Sequence, residues 1–164
     1  MSNPDPSLHL EILQGQPAAK WRDRLVDMWL SEGVITSDEA ERRVREVVCA
    51  LLDGTDRVLG VTTAYPGRIP KIEKPVWFLR MFIRKSIRGA SGLKNRNAVQ
   101  WEMFQKTCVH LQETNQKSHL GVVMVTENRK LWSERWQKRL GEKGWELLGR
   151  DPRGNIIYLL KFPE

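Results

Sequence analysis

Between Arg84 and Arg96 the chain reads Arg-Lys-Ser-Ile-Arg-Gly-Ala-Ser-Gly-Leu-Lys-Asn-Arg, in which five of thirteen residues are cationic and none is acidic. An apolar run, Val76 to Ile83, leads into this segment, and an amphipathic run leads out of it. A strand, a small-residue loop and a helix N-terminus together offer backbone N–H groups and cations, the combination that holds phosphate. Arg88, Gly89, Ala90, Ser91 and Gly92 are the candidate phosphate ligands; the alternative is a basic loop in solvent.

Other side chains could act on a substrate. Arg80 places a charge inside an apolar strand, and an unpaired buried guanidinium is costly. It therefore faces a cleft, meets a carboxylate, or lies on the polar side of its strand; in a cleft it would orient an acidic group of an acceptor. Tyr65, just before Pro66-Gly67, is a candidate proton donor or a rim aromatic. Glu73 and Glu127 are candidate bases, directly or through water, although surface glutamates are common. Asn128 either contacts a ligand or caps the next helix. His9, His110 and His119 are scattered and match neither a catalytic triad nor a metal spacing, so no metal is expected. Trp77 and Trp136 either line a pocket or pack the core.

Positioning these residues requires a scaffold, and the apolar pattern supplies one. Leu8 to Leu13 reads as a short strand. Pro17 opens a helix with Trp21, Leu25, Met28 and Trp29 on one face, ended by Gly33. Thr36 or Ser37 caps a second helix with Ala40, Val44 and Val47 as its stripe. A strand starting near Val48 and a second arm, Arg57 to Tyr65, flank the turn Asp53-Gly54-Thr-Asp56. Pro66, Gly67, Pro70 and Pro75 mark a loop of about ten residues, which the strand Val76 to Ile83 follows. A helix over Asn97 to Gln116, a strand over Gly121 to Thr126 and a helix over Lys130 to Gly144 come next. Strands over Trp145 to Gly149 and Asn155 to Phe162 close the chain. The order β-α-α-β-β-β-α-β-α-β-β predicts an α/β (α+β) fold: a mixed, mostly antiparallel sheet of six to seven strands flanked by four helices.

The chain has 164 residues, 40% of them hydrophobic, with a net charge of +7. A single domain over residues 1–164 is expected, with an anionic partner, either nucleic acid or a phosphorylated cofactor. No apolar run approaches the ~20 residues of a membrane helix, and the first residues lack the pattern of a secretory signal. Cys49 and Cys108 sit in apolar runs without metal spacing, as expected of reduced core thiols in a cytoplasmic protein.

The element order and the basic loop after the fourth strand resemble the GCN5-related N-acetyltransferase (GNAT) superfamily over nearly the whole chain. Asp56-Arg-Val-Leu-Gly-Val61 is similar to the family's third strand, an apolar run containing a Gly. Leu79-Arg-Met-Phe-Ile-Arg84 followed by Arg88-Gly89 is similar to its fourth strand and pyrophosphate loop. Val125-Thr-Glu-Asn128 resembles its fifth strand, and Gly144-Trp145-Glu146 the Gly-Phe closing the next helix. The resemblance implies that the fourth and fifth strands splay apart and that acetyl-CoA, or another acyl-CoA, lies in the cleft. Its pantetheine arm would pair with the backbone of Met81, Phe82 and Ile83 and touch Asn128. Arg88 to Leu93 would hold its pyrophosphate, while Arg84, Lys85, Lys94 and Arg96 meet the 3′-phosphate or are solvated. Two positions depart from the family's pattern. Counting from Arg88, its glycine positions hold Ser91 and Leu93, with Gly89 and Gly92 out of phase, and the position of its usual general-acid Tyr is Leu140.

Two functions follow as expectations. One is an N-acyltransferase moving an acetyl group to an amine of a small molecule, a protein or a modified nucleotide by direct attack in a ternary complex. Tyr65, Glu73, Arg80 and Glu127 would be its catalytic candidates, and dimers are frequent in the resembling family. The other is a non-catalytic module on the same fold that holds nucleic acid or another polyanion on its basic surface.

Overall fold

The structure is a computed structural model that describes residues 7–88 and 96–164. Its elements run β1 (His9–Ile12), α1 (Ala18–Ser31), α2 (Ser37–Val44), β2 (Val47–Leu52), β3 (Val58–Gly67), β4 (Val76–Ile83), α3 (Lys85–Arg88), α4 (Arg96–Asn115) and β5 (Gly121–Thr126). A 3₁₀ turn (Arg129–Trp132), α5 (Glu134–Glu142), β6 (Trp145–Arg150) and β7 (Ile156–Lys161) complete the chain. The seven strands hydrogen-bond in the order β1-β2-β3-β4-β5-β7-β6. β4 and β5 run parallel, whereas β1–β2, β2–β3, β5–β7 and β7–β6 are antiparallel. This is the mixed, mostly antiparallel α/β architecture expected, with α3 as an added single turn. The backbone forms two compact units, Met1–Thr63 with Met81–Thr107 and Ala64–Arg80 with Cys108–Glu164.

In the first unit, all six residues of β2, Val-Val-Cys-Ala-Leu-Leu, are buried. A strand covered on both faces carries no polar alternation, and two separate cores account for the covering. Trp21, Leu25, Met28 and Trp29 of α1 and Ala40 and Val44 of α2 pack with Val47, Ala50, Leu52, Val58 and Val61. Cys49, Leu51, Leu59 and Ile83 pack instead with Met103 of α4. β2 begins at Val47, so Val47 belongs to the strand and not to the stripe of α2. The pairing of β2 with β3 shifts register between Val47 and Cys49. The carbonyl of the displaced residue, Val48, accepts from the N–H groups of Leu13 (2.8 Å) and Gln14 (3.3 Å), which fixes the chain entering α1. Gly60 lies where a Cβ would sit 2.5 Å from Ile83 Cδ1 and 3.0 Å from the Phe82 carbonyl oxygen, so a side chain there would push on the end of β4.

In the second unit, β5 pairs with β7 through six residues, Gly121–Lys161 to Thr126–Ile156. β7 and β6 form a hairpin whose turn is held by Asp151: its Oδ1 accepts from the N–H groups of Arg153 (2.9 Å) and Asn155 (2.8 Å). Val76, Val123 and Leu159 form a buried cluster on which Phe78 and Leu120 pack. Two expected boundaries move. β3 continues through Pro66 and Gly67, because a proline at a strand end forfeits no ladder bond that its neighbours need. The helix expected over Lys130 to Gly144 is broken at Ser133, which leaves the helical region (φ −68°, ψ 149°) and accepts from the Trp136 N–H to cap α5. Trp132 therefore belongs to the 3₁₀ turn and not to the face of α5 that carries buried Leu140.

Candidate functional site

Tyr65 and Arg80 come together on β3 and β4. The Arg80 guanidinium lies over the Tyr65 ring, 4.5 Å from its centroid. The other partner of that ring is Phe78, stacked at 5.4 Å with a 17° interplanar angle. Phe78 and Arg80 are two apart on β4 and so share a face. Gly67 makes room for the stack, since a Cβ there would lie 2.5 Å from Phe78 Cε2. The aromatic face and partial exposure are two of the things that offset the cost of placing Arg80 in an apolar strand. Phe78 is a member of the site that sequence reasoning missed. Its place on the Arg80 face, two residues earlier, was the available signal.

β4 pairs with β5 at Trp77–Val122, Phe78–Val123 and Leu79–Met124. Arg80 is the first β4 residue after the last of these pairs, and the strand runs on to Ile83. Glu73 lies in the loop before β4, its carbonyl accepting from Arg68 Nη1 at 2.8 Å. Glu127 and Asn128 follow β5 and are exposed. Neither glutamate is a hydrogen-bond partner of Tyr65 among the described residues. The Asn128 Oδ1 accepts from the Lys130 N–H at 3.1 Å and caps the 3₁₀ turn, so the capping alternative is realised. Among the described residues, no acceptor for its side-chain amide N–H₂ is seen.

In the first unit, Met81 is half-buried against the core that contains Ile83, and Ile83 itself is buried, so only its backbone can meet a ligand. Phe82 is half-buried, and the Arg88 guanidinium lies 5.7 Å from its ring centroid while its own side chain is otherwise exposed. Gly89, Ala90, Ser91, Gly92 and Leu93 lie outside the described residues, as does Lys94.

Arg84 is neither solvated nor free for a phosphate. It is 5% exposed. Its Nε donates to the Val58 carbonyl at 2.7 Å, its Nη1 to Ser31 Oγ at 3.0 Å, and Glu32 Oε1 stands 4.0 Å away. Burial lowers its pKa, the nearby Arg57 charge adds to this, and Glu32 and Asp27 oppose it. The Arg84 backbone continues the same role: its N–H donates to the Leu59 carbonyl and its carbonyl accepts from the N–H groups of Ile87 and Arg88. Lys85 N–H donates to Glu32 Oε2 at 3.2 Å. Arg84 thus ties the end of β4 and the turn carrying Arg88 to β3 and to the end of α1.

Leu140, at the position of the resembling family's general acid, is 2% exposed and apolar. Tyr158 is fully buried, with its hydroxyl donating to the Leu131 carbonyl at 2.9 Å and burial raising its pKa. Of the two tyrosines, Tyr65 is partly exposed and Tyr158 is buried. Among the described residues, no group of three or more His, Cys, Asp or Glu could hold a metal ion, and no helix is long and apolar enough to cross a membrane.

No protein-family model and no curated protein matches the sequence. The fold, however, is shared with solved acetyltransferases. The GNAT-family N-acetyltransferase YhbS of Escherichia coli, in complex with CoA, superposes with a TM-score of 0.61 at 13% identity, over 98% of this chain and 85% of that one. A GCN5-related N-acetyltransferase from Kribbella flavida gives 0.57 at 14% identity, over 94% and 97%. A GNAT-family acetyltransferase from Brucella melitensis, in complex with acetyl-CoA, gives 0.52 at 16% identity, over 96% and 90%. At these identities the likeness establishes the fold: the chain is built as the GNAT acetyltransferases are.

Proposed function

We propose that this protein is an acyl-CoA-dependent N-acyltransferase that moves an acetyl group from acetyl-CoA to an amine by direct attack in a ternary complex. The observation that carries the reading is β4 itself. Its pairing with β5 runs to Leu79–Met124, and beyond it a chemically equipped stretch, Arg80 to Ile83, leads to Arg88. That stretch offers main-chain groups to the amide-rich pantetheine arm, and the CoA-bound neighbours of this fold support placing the cosubstrate there.

The neutral amine attacks the thioester carbonyl carbon, the C–N bond forms and the C–S bond breaks. Backbone N–H groups of Met81 and Phe82 stabilise the oxyanion. The proton lost by the incoming ammonium goes to water, or through water to Glu73 or Glu127. Tyr65 or water protonates the departing thiolate, and the proton that the nitrogen sheds as the amide forms replaces the one that donor has given up, directly or through water. A thiol near its reference pKa of about 8.5 leaves without obligatory acid assistance, so buried Leu140 is compatible with turnover. Arg80, oriented by the Tyr65 ring, binds an acidic group on the acceptor. The acceptor is a small-molecule or protein amine. Asn128 donates to a pantetheine carbonyl, and Arg88 with residues 89–93 holds the pyrophosphate. The two free, buried thiols, Cys49 and Cys108, favour a reducing, cytoplasmic setting.

The test is calorimetry with acetyl-CoA and CoA, followed by thiol release across a panel of amines. Micromolar binding that is lost in Arg88→Ala/Ser91→Asp, with turnover on one or more amines reduced at least about tenfold in Arg80→Ala, is the expected result. Failure to bind either nucleotide, together with salt-sensitive retention on DNA or RNA, would instead identify a polyanion-binding module on this fold.

A further inference from the structure

We propose that Arg129, Trp132 and Arg150 form a phosphomonoester seat that receives the 3′-phosphate of the coenzyme, an inference that rests on the acyltransferase reading. The three residues converge within the second unit. Thr126 ends β5 and pairs with Ile156, which in turn pairs with Arg150 at the end of β6, so Thr126, Ile156 and Arg150 lie in one row across three strands. The Trp132 indole is pinned to this row, its Nε1–H donating to the Thr126 carbonyl at 3.1 Å. Two guanidinium groups lie against the same indole, Arg150 at 4.9 Å and Arg129 at 5.7 Å from the ring centroid. Arg150 Nη1 also donates to the Gly154 carbonyl at 2.7 Å, which fixes one nitrogen of its fork, and the residue is exposed.

Among the described residues no carboxylate pairs with either guanidinium. Two cations gathered on one ring without an acid repel each other; an entering dianion reverses the sign of that interaction and accepts several charge-assisted hydrogen bonds at once. Because the guanidinium groups lie against the ring, the tryptophan orients cations rather than stacking a base. The chemistry therefore selects a terminal phosphate, not a nucleobase. Coenzyme A carries one such group, at its 3′ position. Arg84, which the sequence offered for this role, is buried in structural contacts.

Titration calorimetry with acetyl-CoA and with 3′-dephospho-acetyl-CoA separates the possibilities. The wild-type protein, the Arg129→Gln/Arg150→Gln variant and the Arg129→Lys/Arg150→Lys variant are compared, with thermal melts to establish that each is folded. The wild type should prefer the phosphorylated form by about tenfold or more. In the glutamine variant the preference should vanish while affinity for the dephospho form is unchanged, and the lysine variant should keep part of the preference. A glutamine variant that retains the full preference, or a wild type that binds both forms equally, overturns this inference and leaves the acyltransferase reading standing. A wild type that binds neither form overturns that reading and this inference with it. Displacement of acetyl-CoA by an oligonucleotide through the same arginines, without discrimination between the two coenzymes, would assign the seat to nucleic acid and overturn the proposal.

Discussion

Arg84 shows how one side chain can serve the site without touching a substrate. It stands at the end of β4, four residues before Arg88, in the most basic stretch of the chain, yet it is buried and its donors are directed into the protein, to the Val58 carbonyl and Ser31 Oγ. Removing it would leave a buried carbonyl and the Glu32 carboxylate without their cation. Taking one partner from a buried ionic cluster typically costs ~3–5 kcal/mol. Arg84→Ala should therefore lose about 3 kcal/mol in urea unfolding. Arg84→Lys should recover only part of that, because an ammonium cannot span two acceptors as a planar fork does. A loss below about 1 kcal/mol for Arg84→Ala would mean that Arg84 behaves as a surface charge and that Arg88 is positioned by other means.

At the scale of elements, the first unit is joined by a short chain of hydroxyls. Cys49 N–H, at the register shift in β2, donates to Thr62 Oγ1 of β3 at 3.2 Å. The Thr62 and Thr107 hydroxyls are 2.7 Å apart, and Thr107 Oγ1 donates to the Met103 carbonyl within α4 at 2.8 Å. Because Thr107 gives its proton to Met103, Thr62 is the donor between the two hydroxyls, and every group in the chain is satisfied. Thr107→Val would strand the buried Thr62 hydroxyl and should cost ~1–3 kcal/mol, whereas Thr62→Val/Thr107→Val should cost less than the sum of the single changes. A double-mutant cycle by chemical denaturation reads this directly; strict additivity would show that the two hydroxyls are not coupled. None of this was legible in the sequence. Thr62 and Thr107 are 45 residues apart, and an isolated threonine in an apolar strand says nothing of its partner. The strands and helices were legible, because burial on one or two faces leaves a period in the residues, as in Trp21, Leu25, Met28 and Trp29. The break at Ser133 was concealed because Trp132, Trp136 and Leu140 keep a helical spacing across it. The pairing of Tyr65 with Arg80 was hidden for the same reason as the threonine pair: each residue was a visible candidate, but only strand register brings a guanidinium onto a particular ring.

For the whole molecule, the quantity that gathers these local environments is stability against pH. His110 and His119 both have pKa values lowered by burial, opposed at His110 by the Glu113 charge. His119 is stacked on Trp77 at 4.7 Å, its Nδ1 lies 2.8 Å from Ser118 Oγ, and burial is what disfavours its charged form. In the unfolded chain a histidine takes up its proton near pH 6.5; in the folded protein both do so at lower pH. The unfolded state therefore binds more protons across that interval, and stability falls as the pH drops from about 7 through the folded values. Global charge acts in the same direction: the chain is already at +7 with its histidines neutral, and protonating His110 and His119 adds further positive charge to a molecule that repels itself. Urea midpoints measured between about pH 7.5 and pH 5 should fall steadily. His119→Gln should be less stable at pH 7.5, where the stacking on Trp77 is lost, but should show a shallower decline toward pH 5, where the wild type has begun to suffer from protonation. A variant whose midpoint falls as steeply as that of the wild type would place the pH dependence in net charge alone and remove His119 from the account.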